Sequence, residues 1–382
     1  MSGRKKSPKI VISGYYGFNN CGDEAVLLAI VHCLKKLKSD VRIIVLSNNP
    51  AKTRAAYGVN AVYRWNPVGI VLSILTCRLV ISGGGSLIQD VTSSRSVKYY
   101  LAVIGIAHFL NKKVMIYSQG VGPLTIEKNR VRTLKAFERC QLITVRDNRS
   151  ADFLREIGLK SDIKVTSDPV MAFHREDIGT ADIEELLREA GVPERIGVKS
   201  NPLLLVAVRS WKDDTHIAPI AEFLDHQSLN GWDVLFIPAF FPDDMGAVTK
   251  IIDIMTSKSY CLDRSLTARQ FIAMTARADM VFSMRLHGLI CAMAMDTPML
   301  GLSYDPKVDG FMEQAGLEKY CLSYDSFSLE TANSLLEELN KTPPDLIQER
   351  RSRCAEMQES AWEPARKAIE LAASTVSGNS LK

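Results

Sequence analysis

The strongest constraint on this chain is a rhythm in which short, mainly apolar runs alternate with longer amphipathic stretches, first over residues 9–146 and again over 202–303. In the first half, 9–13, 42–46, 79–82, 113–118 and 142–146 read as strands, and 23–37, 97–110 and 129–140 as helices. In the second, strands at 202–208, 232–238, 278–283 and 299–303 alternate with helices at 217–227 and 286–295. Apolar runs of strand length between helical patterns imply βαβ units and parallel sheets buried on both faces. A chain of 382 residues suits two such domains. The expected fold class is α/β, with two doubly wound Rossmann-like domains facing a cleft. The expected boundaries are 1–173 for the first domain, 174–200 for a charged crossover linker, 201–342 for the second domain and 343–382 for a C-terminal helix packing back across both.

Composition narrows the function classes. Forty-seven Lys and Arg against 43 Asp and Glu leave a formal charge of +4, too small a surplus for a protein whose main partner is nucleic acid. The eight cysteines form no CxxC pair and lie mostly in apolar runs, so they read as buried reduced thiols. The basic start is not followed by a long apolar segment, and the longest apolar stretch, 68–82, is broken by Arg78. It also falls short of the roughly 20 residues needed to span a bilayer. A cytoplasmic protein is expected, one able to touch a membrane surface.

In open parallel sheets, ligands collect beyond the carboxyl ends of the strands, which directs attention to the loops there. After the first strand come Gly14, Gly17, Asn19, Asn20, Gly22, Asp23 and Glu24, running into a helix whose free amides can face a ligand. The loop fits neither GxGxxG nor a P-loop, so a dinucleotide site is poorly supported and a tight, capped turn is the bland alternative. Gly83, Gly84 and Gly85, followed by Gln89, Asp90, Ser94 and Arg95, could form a nest with groups for sugar hydroxyls and an anion, or simply a flexible turn. Gln119 and Arg146 stand at further strand exits; Arg146 can clamp an anion or pair with Asp147.

Arg209 follows the first strand of the second domain, and Lys307 a later one. Ser283, Arg285, Leu286, His287 and Gly288 form the sharpest constellation. At a strand-to-helix junction, helical amides, a guanidinium and an imidazole can converge on one anion, with the histidine able to donate a proton near neutral pH. A histidine on an apolar helix can equally be a core residue. No HExxH or Asp-x-Asp occurs, and no metal is expected. Glu330 and Glu338 read as solvated helix charges.

Taken together, GYYGFNNCGDEA at 14–25, SGGGSLIQDVTSSRS at 82–96, YSQGVGPL at 117–124, VRDNRS at 145–150, SDP at 167–169 and SMRLHGLI with SYDPKV within 283–308 resemble the polysaccharide pyruvyl transferase family. The resemblance spans residues 9–316 and is closest to the cell-wall branch that modifies the polymer anchoring S-layer proteins. It implies a glycosyltransferase-B-like architecture with phosphoenolpyruvate as co-substrate and no other cofactor. It implies an acceptor of N-acetylmannosamine on N-acetylglucosaminyl diphosphoryl undecaprenol, and a ketal across the sugar's fourth and sixth hydroxyls.

On this reading His287 and Arg285 are catalytic, while Arg209, Arg146, Ser283, Leu286, Gly288 and Lys307 bind the donor. The acceptor would meet Asn19, Asp23, Glu24, Gly84, Gly85, Gln89, Asp90, Ser94, Arg95 and Gln119. Asp23, Glu24 and Asp90 all stand open as the base, and the sequence leaves a homo-oligomer open. The rivals are a nucleotide-sugar-dependent glycosyltransferase of the same architecture and a non-catalytic sugar- or anion-binding regulator.

Overall fold

The computed structural model describes residues 7–91, 94–179, 182–194 and 201–374, without the side chains of Ser94 and Arg95. The chain divides into two compact units: Met1–Phe18, Val26–Pro169 and Glu359–Lys382 in one, Asn19–Ala25 and Val170–Gln358 in the other.

The first unit is built on an all-parallel sheet of β1 (Lys9–Ser13), β2 (Arg42–Ser47), β3 (Asn60–Tyr63), β4 (Leu79–Ser82), β5 (Gly85–Ile88), β6 (Lys113–Val121), β7 (Leu142–Val145) and β8 (Ile163–Val165). The order is β3-β2-β1-β4-β6-β7-β8, with β5 added against β6. Helices α1 (Cys21–Leu37), α2 (Pro50–Tyr57), α3 (Pro67–Leu75), α4 (Ser94–Phe109), α5 (Glu127–Phe137) and α6 (Asn148–Glu156) connect the strands. Where the sequence suggested one apolar stretch over 68–82, the chain forms α3 and then β4. Asn66 starts α3 by accepting the Gly69 amide at 2.9 Å, and Pro67 suits its first turn.

The second unit carries β9 (Leu203–Ala207), β10 (Asp233–Phe236), β11 (Tyr260–Cys261), β12 (Met280–Ser283), β13 (Met299–Ser303) and β14 (Cys321–Ser323). All pair in parallel, in the order β11-β10-β9-β12-β13-β14. Numbered within the unit this is 3-2-1-4-5-6, the Rossmann order. Central β9 is buried at every residue, as a strand covered on both faces must be.

The segment expected as a linker behaves differently. Its helices α7 (Arg175–Ile178) and α8 (Ile183–Glu189) belong to the second unit. Arg175 donates to the Met295 carbonyl at 2.7 Å, and Arg277 pairs with Glu184 at 2.8 Å. Residues 195–200 lie outside the described part. The remaining helices are α9 (Ile217–Leu229), α10 (Met245–Ile254), α11 (Ala268–Arg277), α12 (Leu286–Ala294), α13 (Pro306–Gln314), α14 (Leu329–Asn340) and α15 (Pro344–Ala373). The part of α15 through Gln358 clusters with the second unit and the part from Glu359 with the first. None of the eight cysteines is in a disulfide, and burial raises the Cys140 thiol to about 12.

His108 in α4 is buried, and desolvation, with Arg139 adding to it, lowers its pKa from an ordinary 6.5. The unfolded chain therefore takes up the proton first on acidification, and stability falls as pH drops below about 6.5. A His108→Leu variant should lose part of this acid sensitivity, measured as the urea midpoint across that pH range.

Candidate functional site

In a doubly wound sheet, the loops on either side of the point where strand order reverses splay into a crevice. In the second unit that point lies between β9 and β12. The Met284 and Arg285 amides both reach the Ala207 carbonyl, at 2.9 and 3.4 Å, which fixes the exit of β12 against the exit of β9. Arg285 then occupies the N-cap of α12 in an extended conformation and makes no side-chain cap, so no cap side chain takes up the helix's first amides.

Three of the residues singled out here shape the turn. The Ser283 hydroxyl is fully buried and donates to the Arg285 carbonyl at 2.8 Å. A Cβ at Gly288 would lie 2.4 Å from that hydroxyl, so only glycine lets α12 approach its strand this closely. Leu286 is buried. Ser283, Leu286 and Gly288 thus hold the geometry, whereas the half-buried Arg285 and His287 carry the charged and titratable groups.

Arg285 is gripped by a residue that the sequence reading missed. Its Nε donates to Asp244 Oδ2 at 3.1 Å, and its Nη2 to Oδ1 of the same carboxylate. Asp244 is almost fully buried and also accepts the Phe240 amide at 2.9 Å. A fork-to-fork pair of this kind fixes the plane of the guanidinium. In sequence, Asp244 is indistinguishable from an ordinary acidic residue opening a helix, here α10.

His287 meets the glycine-rich loop. Asn19, Asp23 and Glu24 were expected in the first domain, but residues 19–25 cluster with the second unit. The reason is hydrogen bonding to the exit of β10. The Cys21 amide donates to the Ala239 carbonyl at 2.8 Å, Asn20 forms an antiparallel bridge with Phe240, and the Cys21 thiol donates to the Leu266 carbonyl at 3.4 Å. Asn19 takes a positive φ of 62°, and the Asn20 side chain accepts the Gly22 amide at 3.0 Å. A Cβ on Gly22 would lie 2.2 Å from His287 Nδ1, so the imidazole rests on the bare backbone of α1's first turn. Asp23 and Glu24, both half-buried, follow Gly22 directly.

At the exit of β9, the Arg209 guanidinium lies 5.2 Å from the Tyr304 ring and 5.4 Å from the Trp211 ring, and donates to the Tyr304 hydroxyl at 3.2 Å. No carboxylate pairs with it among the described residues, so its charge is available to an anion. Lys307 Nζ lies 5.5 Å from the same tyrosine ring and 3.2 Å from Asp305. The buried His216 donates its Nε2–H to the Arg209 carbonyl (2.9 Å) and steadies that backbone; desolvation lowers its pKa and favours the neutral ring.

The first-unit candidates are mostly bound up in structure. Arg146 is buried, paired with Asp168 at 3.2 Å and Asp147 at 3.4 Å, and donates to Ser86 at 2.9 Å. Asp90 receives the Thr125 amide and hydroxyl, the Ile126 amide and the Asn129 side chain at 2.7–3.1 Å. Burial pushes its pKa up, but these bonds outweigh it and hold the carboxyl below its ordinary value, which unsuits it as a base. Gln119 is fully buried and donates to the Gly83 carbonyl at 3.0 Å. Gly84 packs against Val26 and Pro169, and Gly85 opens β5 with a φ of 90°. Gln89 accepts the Val91 amide at 3.0 Å. Ser94 and Arg95 begin α4, with side chains outside the described part.

The polysaccharide pyruvyl transferase family model matches residues 20–306. The chain belongs to that family. It is accordingly a transferase, of a family that places pyruvate on polysaccharide. No curated protein sequence matches it. In fold the transferase is similar to the MnaA–UDP structure from Staphylococcus aureus, with a TM-score of 0.64, 11% identity and 95% of each chain covered. It is also similar to UDP-GlcNAc 2-epimerase from Neisseria meningitidis bound to UDP-GlcNAc, at 0.63 and 10% identity over 95% of this chain and 99% of that one. A glycosyltransferase from Rickettsia africae gives 0.57 and 13% identity over 96% of both chains. At these identities the likeness is one of fold.

Two substitutions separate site from scaffold. Gly22→Ala must displace the imidazole, and a misplacement of that size should cost about a hundredfold in turnover with the circular dichroism spectrum unchanged. Asp90→Asn should leave turnover within a few-fold but lower stability by about 1–3 kcal/mol in urea denaturation, because the new amide opposes the Asn129 donor.

Proposed function

We propose that the transferase moves the enolpyruvyl carbon skeleton of phosphoenolpyruvate onto N-acetylmannosamine of an undecaprenyl-diphosphate-linked disaccharide, closing a 4,6-ketal and releasing phosphate. The acceptor serves the polymer that anchors S-layer proteins, and the reaction runs at the inner face of the cell membrane with no metal. The observation that carries this reading is that the neighbouring exits of β9 and β12, at the second unit's strand-order reversal, carry Arg285 locked by Asp244, His287 resting on the first turn of α1, and Arg209 without a carboxylate partner among the described residues. Two guanidinium groups suit a donor that carries both a carboxylate and a phosphate.

In this mechanism an acceptor hydroxyl adds to C2 of the enol, and His287 as imidazolium protonates C3, turning the methylene into a methyl group. The hydroxyl proton passes to Asp23 or Glu24. The C2–O bond to phosphate then breaks with its electron pair leaving on phosphate, stabilised by Arg209 and Arg285. The second hydroxyl adds to the resulting oxocarbenium carbon. Its proton restores His287, and the carboxylic acid returns its proton to the departing phosphate, so two hydroxyl protons end on the methyl group and on phosphate. Lys307 supplies further positive charge.

The test is phosphate release from phosphoenolpyruvate with and without the lipid-linked disaccharide, with mass spectrometry of the acceptor. Acceptor-dependent release with the mass gain of a pyruvate ketal is expected. His287→Gln should reduce kcat by a factor on the order of 10²–10⁴, and Arg209→Ala should act mainly on the KM for phosphoenolpyruvate. Turnover of a nucleotide sugar with no phosphate release would instead establish the rival glycosyltransferase reading.

A further inference from the structure

Helix α3 of the first unit is apolar all round. Its nine residues, PVGIVLSIL, contain no charge. Ile70 and Ile74 point into the unit's core. The opposite stripe, which on an ordinary surface helix is polar, consists of Val68, Val71, Leu72 and Leu75. These stand at i, i+3, i+4 and i+7 and are 66%, 37%, 56% and 50% exposed. Just before the helix, Tyr63 is 46% and Trp65 60% exposed, and the Trp65 ring is held 5.0 Å from Tyr99 of α4.

Cations dominate this stretch of the chain and gather at the C-terminal end of the stripe. Between residues 41 and 126 the single acidic residue is Asp90, which is buried, against nine Lys and Arg. At the C-terminal end of α3, Lys9 donates to the Thr76 hydroxyl, the Arg78 amide bonds to the Lys9 carbonyl at 2.8 Å, and Lys112 and Lys9 both act electrostatically on Cys77. Arg54 lies along β3 through the Ala61 carbonyl at 3.1 Å, and exposed Lys98 precedes the Tyr99 that holds Trp65.

We propose that α3, with Tyr63 and Trp65, is the surface by which this transferase docks on an anionic lipid bilayer. The helix would lie in the plane of the membrane with its outer stripe in the headgroup region, the aromatic pair at the water boundary and the cations over acidic headgroups. A second copy of the chain is a poorer occupant, because a two-fold interface on this stripe would set one cationic rim against the other. The lipid-linked acceptor proposed above gives the docking its purpose, but the surface is argued from its own composition and can be tested without substrate.

The experiment is flotation of the full chain with vesicles of phosphatidylglycerol and phosphatidylcholine in equal parts, and with phosphatidylcholine alone. The wild type should bind the mixed vesicles, release them as salt rises, and bind the neutral ones far more weakly. A Val68→Gln/Leu72→Gln variant should lose on the order of tenfold or more in partitioning, with an unchanged thermal midpoint since both side chains are exposed. The wild type's blue shift in tryptophan emission on binding should vanish in Trp65→Phe while binding persists. Equal binding by the double variant overturns the proposal. So does a wild-type dimer in sedimentation that the double variant dissociates, which would make a second copy the occupant. Vesicle binding without phosphate release would retain this surface and remove the donor assignment; turnover without vesicle binding would do the reverse.

Discussion

The pairing of β9 with β12 sets the places of Arg209, Arg285 and His287, on which the second unit's other candidate groups are arranged. Once the Met284 and Arg285 amides are tied to the Ala207 carbonyl, Arg209 and Arg285 must leave the sheet at neighbouring strand ends on the two sides of the order reversal. Two unneutralised guanidinium groups so placed would repel each other, and the structure answers by treating them differently. Arg285 receives the buried carboxylate of Asp244, while Arg209 is cushioned on the faces of Tyr304 and Trp211. The first is fixed in orientation, and the second keeps its charge for a ligand.

The same economy governs the histidine. An imidazole at the start of a helix needs something flat to rest on, and Gly22 supplies bare backbone at the first turn of α1. That turn clusters with the second unit through the hydrogen bonds of Asn20 and Cys21 to the exit of β10. Residues 19–25, which follow β1 in the chain, thereby pack within the second unit and put Asp23 and Glu24 in the positions next to the His287 contact. The glycines of the 82–86 loop answer a different demand, since Gly83 and Gly84 make room for Tyr16, Val26 and Pro169 in the first unit's own packing.

Much of this was legible in the sequence, and for a physical reason: alternation of apolar runs with amphipathic stretches depends only on local period and burial. It yields the parallel α/β class, most strands to within a residue or two, and the strand-exit positions of Arg209, Arg285 and His287. Half-exposed β3 and β5, which opens on Gly85 and Ser86, do not stand out as apolar runs, and α3 was hidden for the opposite reason, because a nearly continuous apolar run shows no helical period. Asp90, Gln119 and Arg146 could be read either as ligand groups or as parts of the scaffold, because polar residues near strand ends look alike before their partners are known.

The sequence by itself determined which residue types stand at the ends of which strands, because strand formation and chain order are local properties of the apolar pattern. Tertiary structure alone decided which of those residues have their bonding capacity already filled. Asp90 is saturated by Thr125, Ile126 and Asn129, Arg146 is neutralised by Asp168, and Arg285 is aimed by Asp244, 41 residues away along the chain. A hydrogen bond or ion pair is made by proximity in space, and residues 41 apart leave no periodic trace of it in the sequence.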